Sequence, residues 1–292
     1  MILMKEITMK KEMMLGLFFG MIAAGGFAAE TDGIFSCKVG KIEVFMLVET
    51  QREGNTGILI GVDEAFLKKY IPESGFMHST NTFLIKTPKH TILVDTGFGG
   101  AVFEKMKKLG VEPDKIDAVL LTHLHGDHTG GLQKDGKALF SKAKIYLSSK
   151  ERDFFTKTQV NAGAVAALAP YGSRVVTFEP GAFGSKLKEL LAGITPIATY
   201  GHTPGHTAYL IEDGKEKLLI AGDFLHVALV QFPAPDISAT YDVDPKAAAA
   251  SRRQIMDYAA KNKVPVAGMH IVYPAVGAVE ADGTGYRFVP KQ

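Results

Sequence analysis

The chain has 292 residues, 46% hydrophobic and 22% charged, the balance of a globular protein rather than a disordered or fibrous one. Its 33 Lys and Arg against 31 Asp and Glu leave a formal charge of +2, which excludes the concentrated positive field that a nucleic-acid partner rewards. Cys37 is the single cysteine, so an internal disulfide and a thiolate-rich metal cluster are excluded and any metal site must draw on histidines and carboxylates.

In chain order, Lys10 and Lys11 precede an apolar run from Met13 to Phe27 that ends in the small residues Gly26-Phe27-Ala28-Ala29. This pattern predicts a signal peptide over residues 1–29, cleaved near Ala28 or Ala29, and hence a periplasmic or secreted protein. Met9 opens a more conventional signal than Met1 does. The run is interrupted by Gly16, Gly20, Gly25 and Gly26 and falls short of the roughly 20 residues that span a bilayer, so no stable membrane insertion is expected once the leader is gone.

Residues 30–292 carry no Pro/Ser linker, low-complexity tract or repeat, and are read as one domain. Strands are predicted at Ile42 to Leu47, Thr56 to Val62, Thr80 to Ile85, Thr91 to Val94, Ala118 to Leu121, Lys144 to Leu147 and Arg174 to Phe178. Four more follow at Thr195 to Tyr200, Ala208 to Ile211, Lys217 to Ala221 and Val264 to Gly268. Helices are predicted at Glu64 to Tyr70, Ala101 to Lys108, Lys150 to Thr156 and Pro245 to Lys263, the last with Asp244 as cap and Pro245 in the first turn. Short β-branched runs alternating with helices mark an α/β or α+β sheet protein.

Within Leu120-Leu121-Thr122-His123-Leu124-His125-Gly126-Asp127-His128 an apolar strand runs directly into three histidines and an aspartate. Neutral imidazole and carboxylate suit Zn²⁺, and the spacing lets the first two histidines face one metal while Asp127 and His128 face another. Three later segments repeat an apolar run followed by a Gly-marked turn: Gly201-His202-Thr203-Pro204-Gly205-His206, Ala221-Gly222-Asp223 and Gly268-Met269-His270. Together they supply the remaining coordination.

With Asp95 in Leu93-Val94-Asp95-Thr96-Gly97, these motifs stand in an order that resembles the metallo-β-lactamase superfamily. The resemblance implies an α+β, αββα sandwich of two mixed sheets flanked by helices, with the metals at one sheet edge. The segments Gly222 to Pro233, Asp242 to Ala250 and Gly285 to Pro290 are similar to the methyl parathion hydrolase branch, which is made of exported dinuclear zinc hydrolases. Carried over by position, the resemblance implies two Zn²⁺ per chain, His123, His125 and His206 on one, Asp127, His128 and His270 on the other, and Asp223 bridging. Asp95 then orients the ligands around the bridging water, so that Asp127, Asp223 and Asp95 carry the catalytic roles. His202 is expected to hold its loop rather than a metal. Phe224, His226, Phe232 and Tyr273 are the candidate pocket walls, and His78 and His90 have no motif around them.

The implied reaction is attack by a metal-bridging hydroxide on a small apolar ester, lactone or aryl ester, with organophosphate triesters as further substrates. No Gly-x-Ser-x-Gly elbow announces a serine nucleophile. Other readings are a β-lactamase or thioester hydrolase of the same superfamily, a diiron redox protein and a non-catalytic binding module. Asp223 in the bridging position argues against the β-lactamase, His125 in place of a Glu argues against the iron protein, and a full ligand set argues against the binding module. The resemblance also implies a homodimer.

Overall fold

A computed structural model describes residues 32–185 and 187–292, and the expected leader lies outside the described residues. The strands are β1 (Ile34–Val39), β2 (Ile42–Glu53), β3 (Met77–Lys86), β4 (Thr91–Val94), β5 (Ala118–Leu120), β6 (Gln133–Lys134), β7 (Lys137–Ala138), β8 (Lys144–Ser148) and β9 (Val175–Phe178). They continue with β10 (Ile194–Ala198), β11 (Thr207–Asp213), β12 (Glu216–Ile220), β13 (Val266–Ala267), β14 (Val276–Asp282) and β15 (Gly285–Pro290). The α-helices are α1 (Glu64–Leu67), α2 (Ala101–Lys108), α3 (Gly126–Thr129), α4 (Ser149–Asp153), α5 (Ala162–Leu168), α6 (Ala228–Gln231) and α7 (Pro245–Asn262).

Seven strands form one sheet in the order β1-β2-β3-β4-β5-β8-β9 and six form a second in the order β10-β11-β12-β13-β14-β15. Both sheets are mixed, since β4-β5, β5-β8, β8-β9 and β12-β13 pair parallel and the other pairs antiparallel. The central strands are apolar on both faces, as strands covered on both sides must be. Alternation then sorts each residue to one layer. Phe83, Ile85, Ile92, Val94, Ala118 and Leu120 join Ile197, Tyr209, Ile211 and Ile220 of the second sheet in the central core. Leu84, Leu93, Val119, Ile145 and Leu147 point the other way, onto Val102 and Met106 of α2 and Ala164, Ala167 and Leu168 of α5. Helix α7 packs mainly on β14 and adds Ile255, Met256 and Ala259 to the central cluster. The result is the expected αββα sandwich.

Helix α7 follows its sequence signals. Asp244 accepts from the Ala247 N–H at 3.0 Å, Pro245 opens the first turn, and Lys263 ends the helix in a left-handed conformation. The strand expected at Thr56 to Val62 is instead a turn of 3₁₀ helix at Thr56–Ile58, because the Asn55 side chain accepts from the Gly57 N–H at 2.8 Å and Leu59 reaches only an isolated bridge to Ala239. Strands β1, β6, β7, β14 and β15 lie outside the strands expected from the sequence. Among the described residues no helix is long and apolar enough to cross a membrane.

Candidate metal centre

Parallel pairing delivers the site residues to one edge. Val94 pairs with Leu120 across β4 and β5, so Asp95 and Thr122 leave the sheet side by side. Ile220 pairs with Ala267 across β12 and β13, so Asp223 and His270 emerge together from the second sheet. The turn from β10 to β11 brings His202 and His206 over both. Gly222 has φ 61°, and a Cβ there would lie 2.5 Å from His206 Nε2, so glycine alone lets the chain turn Asp223 into the site.

Two donor groups result. His123 Nε2, His125 Nδ1 and His202 Nε2 form a triangle with sides of 3.0, 3.0 and 3.2 Å. Asp127, His128, Asp223 and His270 form the second group, with His128 Nε2 and His270 Nε2 each 3.6 Å from Asp127 Oδ2. Asp223 stands between the groups. Its Oδ1 is 3.2 Å from His128 Nε2, and its Oδ2 is 2.9 Å from His270 Nε2, 3.5 Å from His202 Nε2 and 3.7 Å from His123 Nε2.

The orientation of the rings shows what the groups can hold. His202 Nδ1 lies 3.0 Å from Asp242 Oδ1 and His270 Nδ1 lies 2.9 Å from the Ser79 carbonyl oxygen, so each donates there and turns a bare Nε2 inward. His128 Nδ1 lies 2.7 Å from Asp95 Oδ2, which likewise turns its Nε2 inward, and against burial the Asp223 and Asp127 carboxylates hold both His128 and His270 above the ordinary imidazole range. Burial pulls His202 down to about 3 despite Asp242 and keeps its ring neutral. Converging lone pairs repel unless a cation lies between them. Among the described residues the buried side-chain atoms without a hydrogen-bond partner are His78 Nδ1, Thr82 Oγ1, His128 Nε2, Asp223 Oδ1 and His226 Nδ1, and all but the Thr82 hydroxyl belong to side chains that surround this centre. Orphaned buried polar atoms are costly, and their concentration here fits a metal-binding role.

Asp95 is fully buried at φ 57° and accepts from Thr122 N at 2.8 Å and Thr122 Oγ1 at 2.7 Å as well as from His128. It touches neither donor group's open side and orients His128.

His206 is a correction. Its Nδ1 lies 3.0 Å from the Thr199 carbonyl oxygen and its Nε2 accepts the Asp223 N–H at 3.0 Å, so both ring nitrogens are committed to backbone. His202, expected to be structural, takes the place in the donor triangle. His206 instead fixes the Asp223 backbone. Phe224 and Phe232 are also corrected: both are buried, stacked edge to face at 6.0 Å and part of the central core, and neither lines a cavity at the centre.

A cavity of about 650 Å³ opens over the donors, lined by Arg52, His78, Phe98, His125, Asp127, Asp223, His226, Tyr241 and His270 among others. A second, of about 340 Å³, adjoins it across His226 and His270 and is lined by Phe76, Leu229, Val272 and Tyr273. His226 therefore serves both walls, and Tyr273 only the second. His78, unassigned by motif, stacks on His270 at 4.6 Å, and burial pulls it down to about 3.

Glu151 had no sequence signal. Fully buried on α4, it accepts from Leu124 N at 2.9 Å, Thr203 Oγ1 at 2.7 Å and Gly205 N at 2.9 Å, clamping the His123–His125 loop to the His202 loop. Burial pushes its carboxyl up to about 7, against these three hydrogen bonds.

A model of the metallo-beta-lactamase superfamily matches residues 76–262, and the chain belongs to that superfamily. Among curated proteins, the lactamase-like protein adaB of Aspergillus niger is 31% identical over 149 residues, 50% of this chain and 39% of that protein. The probable metallo-hydrolase YflN of Bacillus subtilis is 28% identical over 164 residues, 49% of this chain and 60% of that protein. The chain thus spans less than two thirds of the curated relatives it matches. Solved structures match over more of their length. The crystal structure of hydrolase AbOPH in the beta lactamase superfamily has a TM-score of 0.81 and 30% identity, covering 90% of this chain and 99% of that one. AidC, a dizinc quorum-quenching lactonase in complex with a product, N-hexanoyl-L-homoserine, has a TM-score of 0.80 and 26% identity, covering 89% and 98%. A metallo-hydrolase fold and a candidate metal centre are therefore in place.

Proposed function

We propose that this chain is a dinuclear zinc hydrolase of the methyl parathion hydrolase type, acting on compact, fairly apolar esters, lactones and aryl esters, with organophosphate triesters as further substrates. The observation that carries the reading is the pair of donor groups sharing Asp223 on the floor of one cavity. Zinc–nitrogen bonds of about 2.0–2.1 Å set tetrahedral ligand atoms about 3.3 Å apart, close to the triangle of His123, His125 and His202. Asp127, His128 and His270 would hold the second ion, with Asp223 between the two. Two such ions would lower the pKa of a bound water and polarise the oxygen of the group under attack.

The chain supplies the rest. Asp127, the most exposed of the donor carboxylates, faces the cavity and can take the proton that the attacking water releases. His226 stands 3.5 Å from Asp223 Oδ2 on the cavity wall, where it orients substrate over the donors. Asp95, Asp242 and the Ser79 carbonyl keep His128, His202 and His270 in the ligating tautomer. The Thr122 hydroxyl is committed to Asp95 and offers no nucleophile. The dizinc lactonase among the structural relatives supports the substrate class. A homodimer in the periplasm or outside the cell is part of the same proposal.

The test is one ranking of kcat/KM for the zinc-loaded protein over lactones, aryl esters, phosphotriesters, thioesters and β-lactams. Esters and lactones should lead. A β-lactam or a thioester at the head of the ranking would replace this reading.

A further inference from the structure

Arg252 is the largest fully buried side chain described, on the inner face of α7 and remote from solvent. Its Nε donates to the Phe224 carbonyl at 2.6 Å, and its Nη1 donates to the Pro235 and Ile237 carbonyls at 2.6 and 2.8 Å. Its Nη2 lies 3.6 Å from Asp242 Oδ2. Asp236, the other carboxylate near it, is exposed and paired with Arg253, so Asp242 is the buried counter-charge. The other oxygen of Asp242 receives the His202 Nδ1 hydrogen, and its Oδ2 also accepts from the Ala239 N–H at 3.0 Å. The three carbonyls span the segment that carries His226, and Asp242 follows Tyr241; His226 and Tyr241 line the cavity.

A buried ion pair is a poor source of stability, because desolvation offsets most of its attraction and an apolar side chain of the same volume would serve as well. The guanidinium fork, with donors in fixed directions, instead suits several acceptors at once. We infer that Arg252 is a positioning residue that couples the metal centre to the substrate wall, holding His202 through Asp242 and the His226 segment through its backbone carbonyls. This rests on the two-ion reading for its consequence in catalysis. The coupling itself is a property of the chain.

The test uses the full mature protein labelled with ¹⁵N-histidine, with His202 and His226 signals identified by their loss in His202→Ala and His226→Ala. In the metal-free wild type His202 should read as the Nδ1–H tautomer. Arg252→Met should shift that population and the His226 resonance together, whereas Asp242→Asn should shift His202 alone. Zinc affinity by chelator competition should fall about 10- to 100-fold in both variants, the range for removing a ligand's hydrogen-bond partner, and the double variant should add little. Only Arg252→Met should also change the ratio of rates on 4-nitrophenyl butyrate and γ-butyrolactone. Should Arg252→Met fail to fold, Arg252→Lys decides, since one ammonium cannot reach Asp242 and three carbonyls together. A folded Met variant, or failing that the Lys variant, with wild-type His202 and His226 signals would overturn the inference. Absence of zinc binding by the wild type would overturn the function proposed above and leave the nitrogen signals to decide this one.

Discussion

Replacing Asp95 by Asn isolates one hydrogen bond from the rest of the site. The backbone sits at φ 57°, a conformation Asn adopts as readily as Asp, and the two side chains have nearly the same shape. The Asn carbonyl can keep the bond from Thr122 N. What changes is the atom at Oδ2, which accepts from Thr122 Oγ1 and His128 Nδ1, each at 2.7 Å. An amide nitrogen there presents hydrogens to two donors, so His128 must move its hydrogen from Nδ1 to Nε2, the atom that faces Asp127 and Asp223. A protonated Nε2 cannot ligate. A hydrogen bond to a charged group contributes about 1.5–3 kcal/mol, which is roughly 10- to 150-fold in an equilibrium constant. The zinc affinity of the Asp127, His128, Asp223 and His270 group should fall by about that factor, while the three-histidine group keeps its own. Chelator titration followed by elemental analysis should therefore resolve one tight and one weakened zinc, with kcat/KM falling in parallel. An Asp95→Asn protein that holds both zincs at wild-type affinity and turns over at the wild-type rate would refute the role given to Asp95.

His202→Ala should remove a ligand and lower zinc content to about one per chain, whereas His206→Ala should leave ligand number intact and act by loosening Asp223, so its zinc content at saturation should stay at about two; the reverse pattern in elemental analysis would restore the sequence-based assignment. Phe232→Ala, which hollows the packing with Phe224 and Phe288, should cost about 3–5 kcal/mol and lower the melting temperature by about 6–10 °C. It should scale all substrates alike, and a changed ranking would return Phe232 to the pocket wall. Glu151 binds its proton more tightly in the folded state, at about 7 against the ordinary 4.5. Its contribution to stability is therefore full below about pH 4.5 and is lost as pH rises through about 7. Glu151→Gln should flatten that part of the melting-temperature profile, and an unchanged slope would count against it. Finally, the mature protein recovered from a periplasmic extract should begin near Ala29 or Glu30, and a mass that includes Met13 to Phe27 would exclude cleavage.

Much of the centre was legible because its parts are local. His123, His125, Asp127 and His128 lie within six positions at the end of an apolar strand, so their convergence needs one tight turn and no distant partner. The strand at Thr80 to Ile85 was legible from its β-branched and apolar run, and only packing between two layers shows that Phe83 and Ile85 take one face and Leu84 the other. Asp244, Pro245 and the alanine run set helix α7 by cap and propensity alone.

Other features depended on partners distant in sequence. His202 and His206 stand four residues apart in the same Gly- and Pro-marked turn, and nothing local ranks them. The choice is made by Asp242, forty residues on, which holds the His202 ring inward, and by the Thr199 carbonyl and the Asp223 amide, which occupy both nitrogens of His206. Phe224 follows Asp223 directly, yet it turns into the central core. Glu151 reads as an ordinary helix carboxylate until the fold closes two ligand loops around it. The strand expected at Thr56 to Val62 had suitable residues but lacked a continuous neighbour, while β14 and β15 formed because each gave the other a ladder. Propensity and spacing are properties of a segment, so the chain set its ligand loops and the cap of α7 by itself. Which nitrogen stays bare, which aromatic is covered and which strand finds a partner are set by atoms that only tertiary folding brings within about 3 to 4 Å.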